Sequence, residues 1–184
     1  MSGLLFLSGE DFSIQQATNG GTLLCNSIRG ISVLLFYSPK CEFCQKLIPI
    51  FKRLPGQIGG VQFGMANVGA DPDIVRRSRD TISPIKYVPL IILHVNGRPF
   101  IRYDGGISEG EIKQFVYEVG NKIQAQARER AQEDKKAGGK KSSGHGDIPD
   151  YTIGIPLYGN KDDSNVTYLE FDEAYTLKHT PGRR

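Results

Sequence analysis

An apolar run and a cysteine pair stand side by side in Ile31-Ser32-Val33-Leu34-Leu35-Phe36-Tyr37-Ser38-Pro39-Lys40-Cys41-Glu42-Phe43-Cys44-Gln45-Lys46-Leu47-Ile48-Pro49-Ile50-Phe51. Ile31 to Tyr37 is continuous rather than alternating in hydrophobicity, which is the pattern of a strand buried on both faces. After Cys41 the apolar residues Cys44, Leu47, Ile48 and Phe51 recur at helical spacing. A helix with one buried face therefore follows the strand, with Pro49 expected to kink it.

Outward from this unit, Leu4 to Leu7 reads as a short strand and Val61 to Val68 as another. A weaker helical stretch is expected between Asp11 and Asn26. Asp71-Pro72-Asp73 opens a further helix, with an N-cap carboxylate and proline in the first helical position. Leu90 to Val95 and Arg98 to Tyr103 flank Asn96-Gly97, a strong signal for a tight antiparallel hairpin. Ser108 with Glu111 has the spacing of a capping box, and Ile112, Phe115, Val116, Val119 and Ile123 form the stripe of the closing helix. The order β-α-β-α-β-α-β-β-α predicts an α/β domain, a mixed central sheet with helices on both faces.

With 184 residues, 39% hydrophobic and 23% charged, the chain has room for one domain and an appended module, and neither a disordered nor a fibrous composition. No apolar run approaches the roughly 20 residues that span a bilayer, so no membrane partner is expected. The first ten residues lack the basic segment and long apolar run of a secretory signal, which places the protein in the cytoplasm. The 23 basic and 20 acidic residues make a mixed surface that does not call for nucleic acid. Composition changes near residue 123: residues 123–141 hold 6 basic and 3 acidic groups with few apolar ones, and residues 142–184 hold 4 basic and 7 acidic. This divides the chain into a domain over 1–123, a helical extension and flexible basic linker over 124–147, and a C-terminal tail over 148–184. The tail's Tyr151, Tyr158, Tyr168, Phe171 and Tyr175 suit docking on this domain or on another protein, with strand addition to a sheet edge as one mode. Its Gly, Pro and charge content equally suits disorder.

A C-x-x-C pair by itself admits redox chemistry, a metal site or two idle thiols. Zinc asks for four ligands, and no second pair or suitably spaced histidine accompanies this one. At the start of a helix, unpaired N–H groups and the dipole favour a thiolate at Cys41. One helical turn brings Cys44 within reach, so Cys41 can attack a disulfide and Cys44 can resolve the mixed disulfide. Cys25, beside Leu23 and Leu24, reads as a buried small hydrophobe.

The segment from Leu35 to Ile50, with proline five residues after Cys44, resembles the active-site strand and helix of thioredoxins, and Val88-Pro89 and Asn96-Gly97 extend the likeness. The resemblance covers about residues 1–123 and implies a thioredoxin fold with a C-terminal tail. It also implies that Cys41 attacks, that Pro89 is a cis proline after Val88 facing the disulfide, and that Gly105 or Gly106 borders the substrate groove. Leu35 stands where thioredoxins usually have a buried aspartate, so resolution by Cys44 loses a proton acceptor. Lys40 replaces the usual tryptophan and favours a thiolate, whereas Glu42 opposes it. Glu42-Phe43 in place of Gly-Pro alters the rim, with Phe43 either a docking group or locally packed.

The expected function is thiol-disulfide exchange on protein substrates through a redox-active Cys41–Cys44 pair, with no other cofactor and no metal. The pair would be recycled by an external reductant such as a thioredoxin reductase or glutathione. A second reading makes the domain a structural or adaptor part of an assembly, with the tail as docking segment. That reading goes with a weaker resemblance to the thioredoxin-like proteins of large DNA viruses, some of them virion components.

Overall fold

A computed structural model of the chain describes residues 3–16, 20–136 and 154–156. Its centre is strand β4 (Ile31–Tyr37), which pairs in parallel with β5 (Gln62–Asn67) and antiparallel with β6 (Leu90–Val95). Both faces of β4 are covered. Val33 and Leu35 enter one core layer and Leu34 and Phe36 the other, which is why the run is apolar without alternation. Beyond β5 lies β1 (Leu4–Leu7), parallel to it, and beyond β6 lies β7 (Arg98–Tyr103), antiparallel. The β6–β7 turn places Asn96 at φ 50° and Gly97 at φ 80°, the left-handed pair that a two-residue hairpin turn requires.

Helix α1 (Glu42–Arg53) and α3 (Glu109–Lys136) pack on one face, where Leu47, Phe51 and Leu54 meet Ile112, Phe115, Val116 and Val119 over Phe63, Met65 and Leu93. Helix α2 (Pro72–Ser78) covers the other face through Ile74 and Val75. The expected layering and α/β class hold. Helix α1 runs on through Pro49, and α3 continues past residue 123 to Lys136. No described helix is long and apolar enough to cross a membrane.

Where a helix is expected between Asp11 and Asn26, the described residues form two strands. A 3-10 turn (Gly9–Asp11) leads into β2 (Phe12–Gln15), which pairs antiparallel with β3 (Thr22–Cys25), Phe12 opposite Cys25. The pairing puts Phe12, Leu23 and Cys25 into the same core layer as α2. Cys25 N–H donates to the Gly97 carbonyl at 2.9 Å and Asn26 N–H to the Asp11 carbonyl at 2.7 Å at one end of the ribbon, and Ile82 N–H donates to the Gly21 carbonyl at 2.9 Å near the other.

Two capping expectations are also revised. Asp71 occupies the N-cap of α2, but its Oδ2 accepts the Gly9 N–H at 2.6 Å instead of a helical one. Ser108 Oγ accepts the Glu111 N–H at 3.1 Å, whereas the Glu111 carboxylate turns outward to the Gly106 N–H. Each carboxylate satisfies an N–H of another segment, which the spacing of a local motif does not encode.

From the expected linker and tail, Gly154–Pro156 form β8, antiparallel to β7 with Arg102 opposite Ile155. The linker's glycines, its Lys140 and Lys141, and the tail's aromatics at 151, 158, 168, 171 and 175 lie outside the described residues.

Candidate active site

Strand β4 ends at Tyr37, and Ser38-Pro39-Lys40 carries the chain over the sheet's end into α1. Cys41 is the N-cap of α1 in extended conformation, with φ −88° and ψ 119°. Its sulfur takes the place of the oxygen that serines and threonines supply there. Sγ accepts the Cys44 N–H at 3.3 Å, and as a thiol it donates to the Val88 carbonyl at 3.5 Å. Backbone bonds fix the loop: Cys41 N–H to the Ser38 carbonyl at 3.2 Å, and Gln45 N–H to the Cys41 carbonyl at 3.1 Å. The Val88–Pro89 peptide is cis. Cys41, Cys44 and Cys25 are all free thiols in this structure.

The two thiols differ by environment. A side-chain hydrogen bond from Cys44, outweighing the effect of burial and joined by the Cys44 and Phe43 N–H groups, holds Cys41 down to about 7. Glu42 pushes the other way. The same hydrogen bond, now to the neutral form, and burial push Cys44 well above the ordinary thiol value. One sulfur is prepared as a nucleophile while its neighbour keeps the proton. Burial raises Cys25 to about 11, in accord with a core residue.

Of the residues named from the sequence, Cys41, Cys44 and Val88 are in direct contact. Phe43 is half-buried at the rim with the Lys46 ammonium 5.6 Å above its ring, and Lys46 pairs with Glu42 at 3.1 Å. Lys40 is exposed, and its charge is not among the influences on Cys41. The influences that act on Cys41 are the Cys44 thiol and the backbone N–H groups, which lower it, and burial and Glu42, which raise it. Leu35 is fully buried in the layer of Leu47, Phe51 and Ile91, across the sheet from the layer of both cysteines. Gly105 lies against Tyr103, and Gly106 is hydrogen-bonded to Tyr103 and Glu111. Sequence reading passed over Ser38, Tyr103 and Glu111, whose roles come through backbone groups of other segments. Beside Cys41, Ser38, Pro39, Lys40, Asn67, Gly69 and Ala70 line a cavity of about 490 Å³.

The Thioredoxin family model matches residues 24–118, from the end of β3 into α3, and includes the cysteine pair. The chain belongs to the thioredoxin family. Among curated relatives it is 34% identical over 181 residues to uncharacterized protein 196R of Invertebrate iridescent virus 6, covering 95% of each chain. It is 30% identical over 141 residues to protein disulfide isomerase-like 2-3 of Oryza sativa subsp. japonica, covering 75% of this chain and 30% of that one. Among solved structures, the zinc-bound form of human ERp44 matches with a TM-score of 0.47 at 21% identity, over 64% of this chain and 30% of that one. A mutant thioredoxin from Halobacterium salinarum matches with a TM-score of 0.46 at 17% identity, over 62% and 88%. The thioredoxin fold read from the active-site segment is thus the fold of this chain, and the likeness to viral thioredoxin-like proteins holds in its iridescent virus relatives.

Proposed function

We propose that this thioredoxin-family protein is a thiol-disulfide oxidoreductase acting on protein disulfides. The observation that carries this reading is the N-cap placement of Cys41, with its sulfur on the Cys44 N–H and the Val88 carbonyl. The Cys41 thiolate attacks a substrate disulfide, forming a mixed disulfide and expelling one substrate sulfur as thiolate, which takes a proton from water. Cys44 then loses its proton and attacks Cys41 Sγ. The Cys41–Cys44 bond forms, the mixed disulfide breaks, and the second substrate thiol leaves. Two electrons pass to the substrate, and an external dithiol or glutathione restores the pair. The name of the rice relative supports a protein as substrate.

Insulin reduction with dithiothreitol as electron source tests the reading. Cys41→Ser is expected to abolish turnover, and a wild type without turnover overturns the assignment. Equilibration against glutathione buffers then sets the direction: a potential near thioredoxin's own, about −270 mV, marks a reductant, and one above about −200 mV an oxidant or isomerase.

A further inference from the structure

One lysine holds both residues that separate the cysteines. Lys46 lies one turn along α1 from Glu42, with Nζ 3.1 Å from Glu42 Oε1. The same ammonium stands 5.6 Å from the centre of the Phe43 ring, a distance at which a cation is drawn to an aromatic face. Phe43 in turn packs on the core layer that contains Cys41 and Cys44. The side chains of the ion pair are 60% and 50% exposed, so the pair adds little to stability. Its consequence lies in where it puts a charge.

Glu42 is the first residue of α1. A carboxylate in the first turn is drawn to the unpaired N–H groups of the helix start and to the positive end of the dipole. Here those groups serve a sulfur. The Cys44 N–H donates to Cys41 Sγ at 3.3 Å, and the Cys44 and Phe43 N–H groups both favour the Cys41 thiolate. A carboxylate turned to the same groups would compete with the sulfur for them and set its negative charge beside the thiolate. Pairing with Lys46 carries the Glu42 carboxylate toward the second turn instead.

We propose that Lys46 is a positioning residue of the redox site: it draws the Glu42 carboxylate along the helix, with Phe43 held by the same ammonium, and so leaves the first-turn N–H groups to Cys41. The inference rests on the oxidoreductase reading for its use, since the attacking thiolate is what gains. The other ionisable groups of the site are Cys44 on α1, Lys40 on the preceding loop, and Tyr87 and Lys86 in the segment that leads to Val88, with Tyr87 packed on the core layer of the thiols. None of these is altered in the variants that test the clamp.

The test follows alkylation by iodoacetamide, an uncharged reagent, against pH under reducing conditions. It compares the full chain as wild type, Lys46→Met, Lys46→Arg, Glu42→Gln and the double variant Lys46→Met with Glu42→Gln. Lys46→Met is expected to raise the Cys41 inflection by about 0.2–0.5 pH unit, the reach of one screened charge, which slows alkylation at pH 6 by about 1.5- to threefold. Lys46→Arg keeps the cation and stays near wild type. In the Glu42→Gln background less than half of the Lys46→Met shift remains, because no carboxylate is there to be released. An equal shift in both backgrounds overturns the positioning role, since the lysine then acts by its own charge alone. An unchanged inflection in Lys46→Met overturns it too, as does a Lys46→Arg variant that behaves like Lys46→Met. Insulin turnover by wild type, measured alongside, decides the oxidoreductase reading by itself, because alkylation of Cys41 needs no substrate disulfide.

Discussion

Cys41 and Glu42 are adjacent in sequence and act on one proton in opposite senses. The helix-end N–H groups and the Cys44 thiol lower Cys41 to about 7, and the Glu42 carboxylate works against them. Alkylation by iodoacetamide under reducing conditions is expected to rise with pH through an inflection near 7 for Cys41, with Cys44 and Cys25 reacting far later. Glu42→Gln moves that inflection down by a few tenths of a pH unit, because the carboxylate is half-exposed and screened. It also raises the reduction potential, since a better stabilised thiolate favours the reduced form. An upward move of the inflection would refute this assignment of charge. His94 titrates at the other end of the scale. Burial pushes its imidazole down to about 4 from 6.5, with a ring nitrogen 3.2 Å from the Ile92 carbonyl. The unfolded chain takes up the proton first, so the stability this residue contributes is present above pH 6.5 and is lost as pH falls toward 4. The loss is at most about 1.4 kcal/mol per pH unit. Urea unfolding at pH 7 and 4.5 should show a shallower decline in His94→Gln. The closeness of Cys41 and Cys44 was readable from their spacing, because one helical turn fixes their separation. The Val88 carbonyl on the Cys41 sulfur was not, because it comes from a segment 47 residues away in sequence.

The elements read most clearly are those whose partners lie close in sequence. β4, α1 and the β6–β7 hairpin follow from an apolar run, a helical stripe and Asn96-Gly97. The β2–β3 ribbon was misread because Phe12 and Ile14 alternate over too few residues to outweigh a scattered helical pattern, and because its decisive contacts are remote. One of them, Gly97, joins the two hairpins. Its carbonyl takes the Cys25 N–H, and a Cβ at this position would lie 2.3 Å from the Cys25 carbonyl oxygen. Gly97→Ala combines that clash with a φ of 80° and is expected to cost about 1–3 kcal/mol in chemical denaturation. A near-neutral result would mean that the turn relaxes away from β3. Asp71 and Glu111 teach the same lesson: each sits where a local cap is predicted and satisfies a backbone group elsewhere.

At the scale of the molecule, among the described residues every buried member of the two core layers falls between Leu7 and Val119. A chain ending at Lys136 is therefore expected to melt within about 5 °C of the full chain and to keep the Cys41 titration, since β8 contributes one short ladder. A drop beyond about 10 °C would instead make the tail part of the core. Docking as a strand was read as one mode for this tail, and its described piece, Gly154–Pro156, adopts it. The three residues that pair were not singled out, because nothing in so short a segment marks its register. The β7–β8 pairing also bears on self-assembly. An open sheet offers two templates, and a particle with two can be extended without limit into a fibre. Here one flank ends in three residues of which Pro156 has no N–H to offer, a poor template. The other flank is β1, with Phe6 on its surface. Among the described residues β1 is thus the better template of the two, and a strand added by another chain would meet Phe6 there.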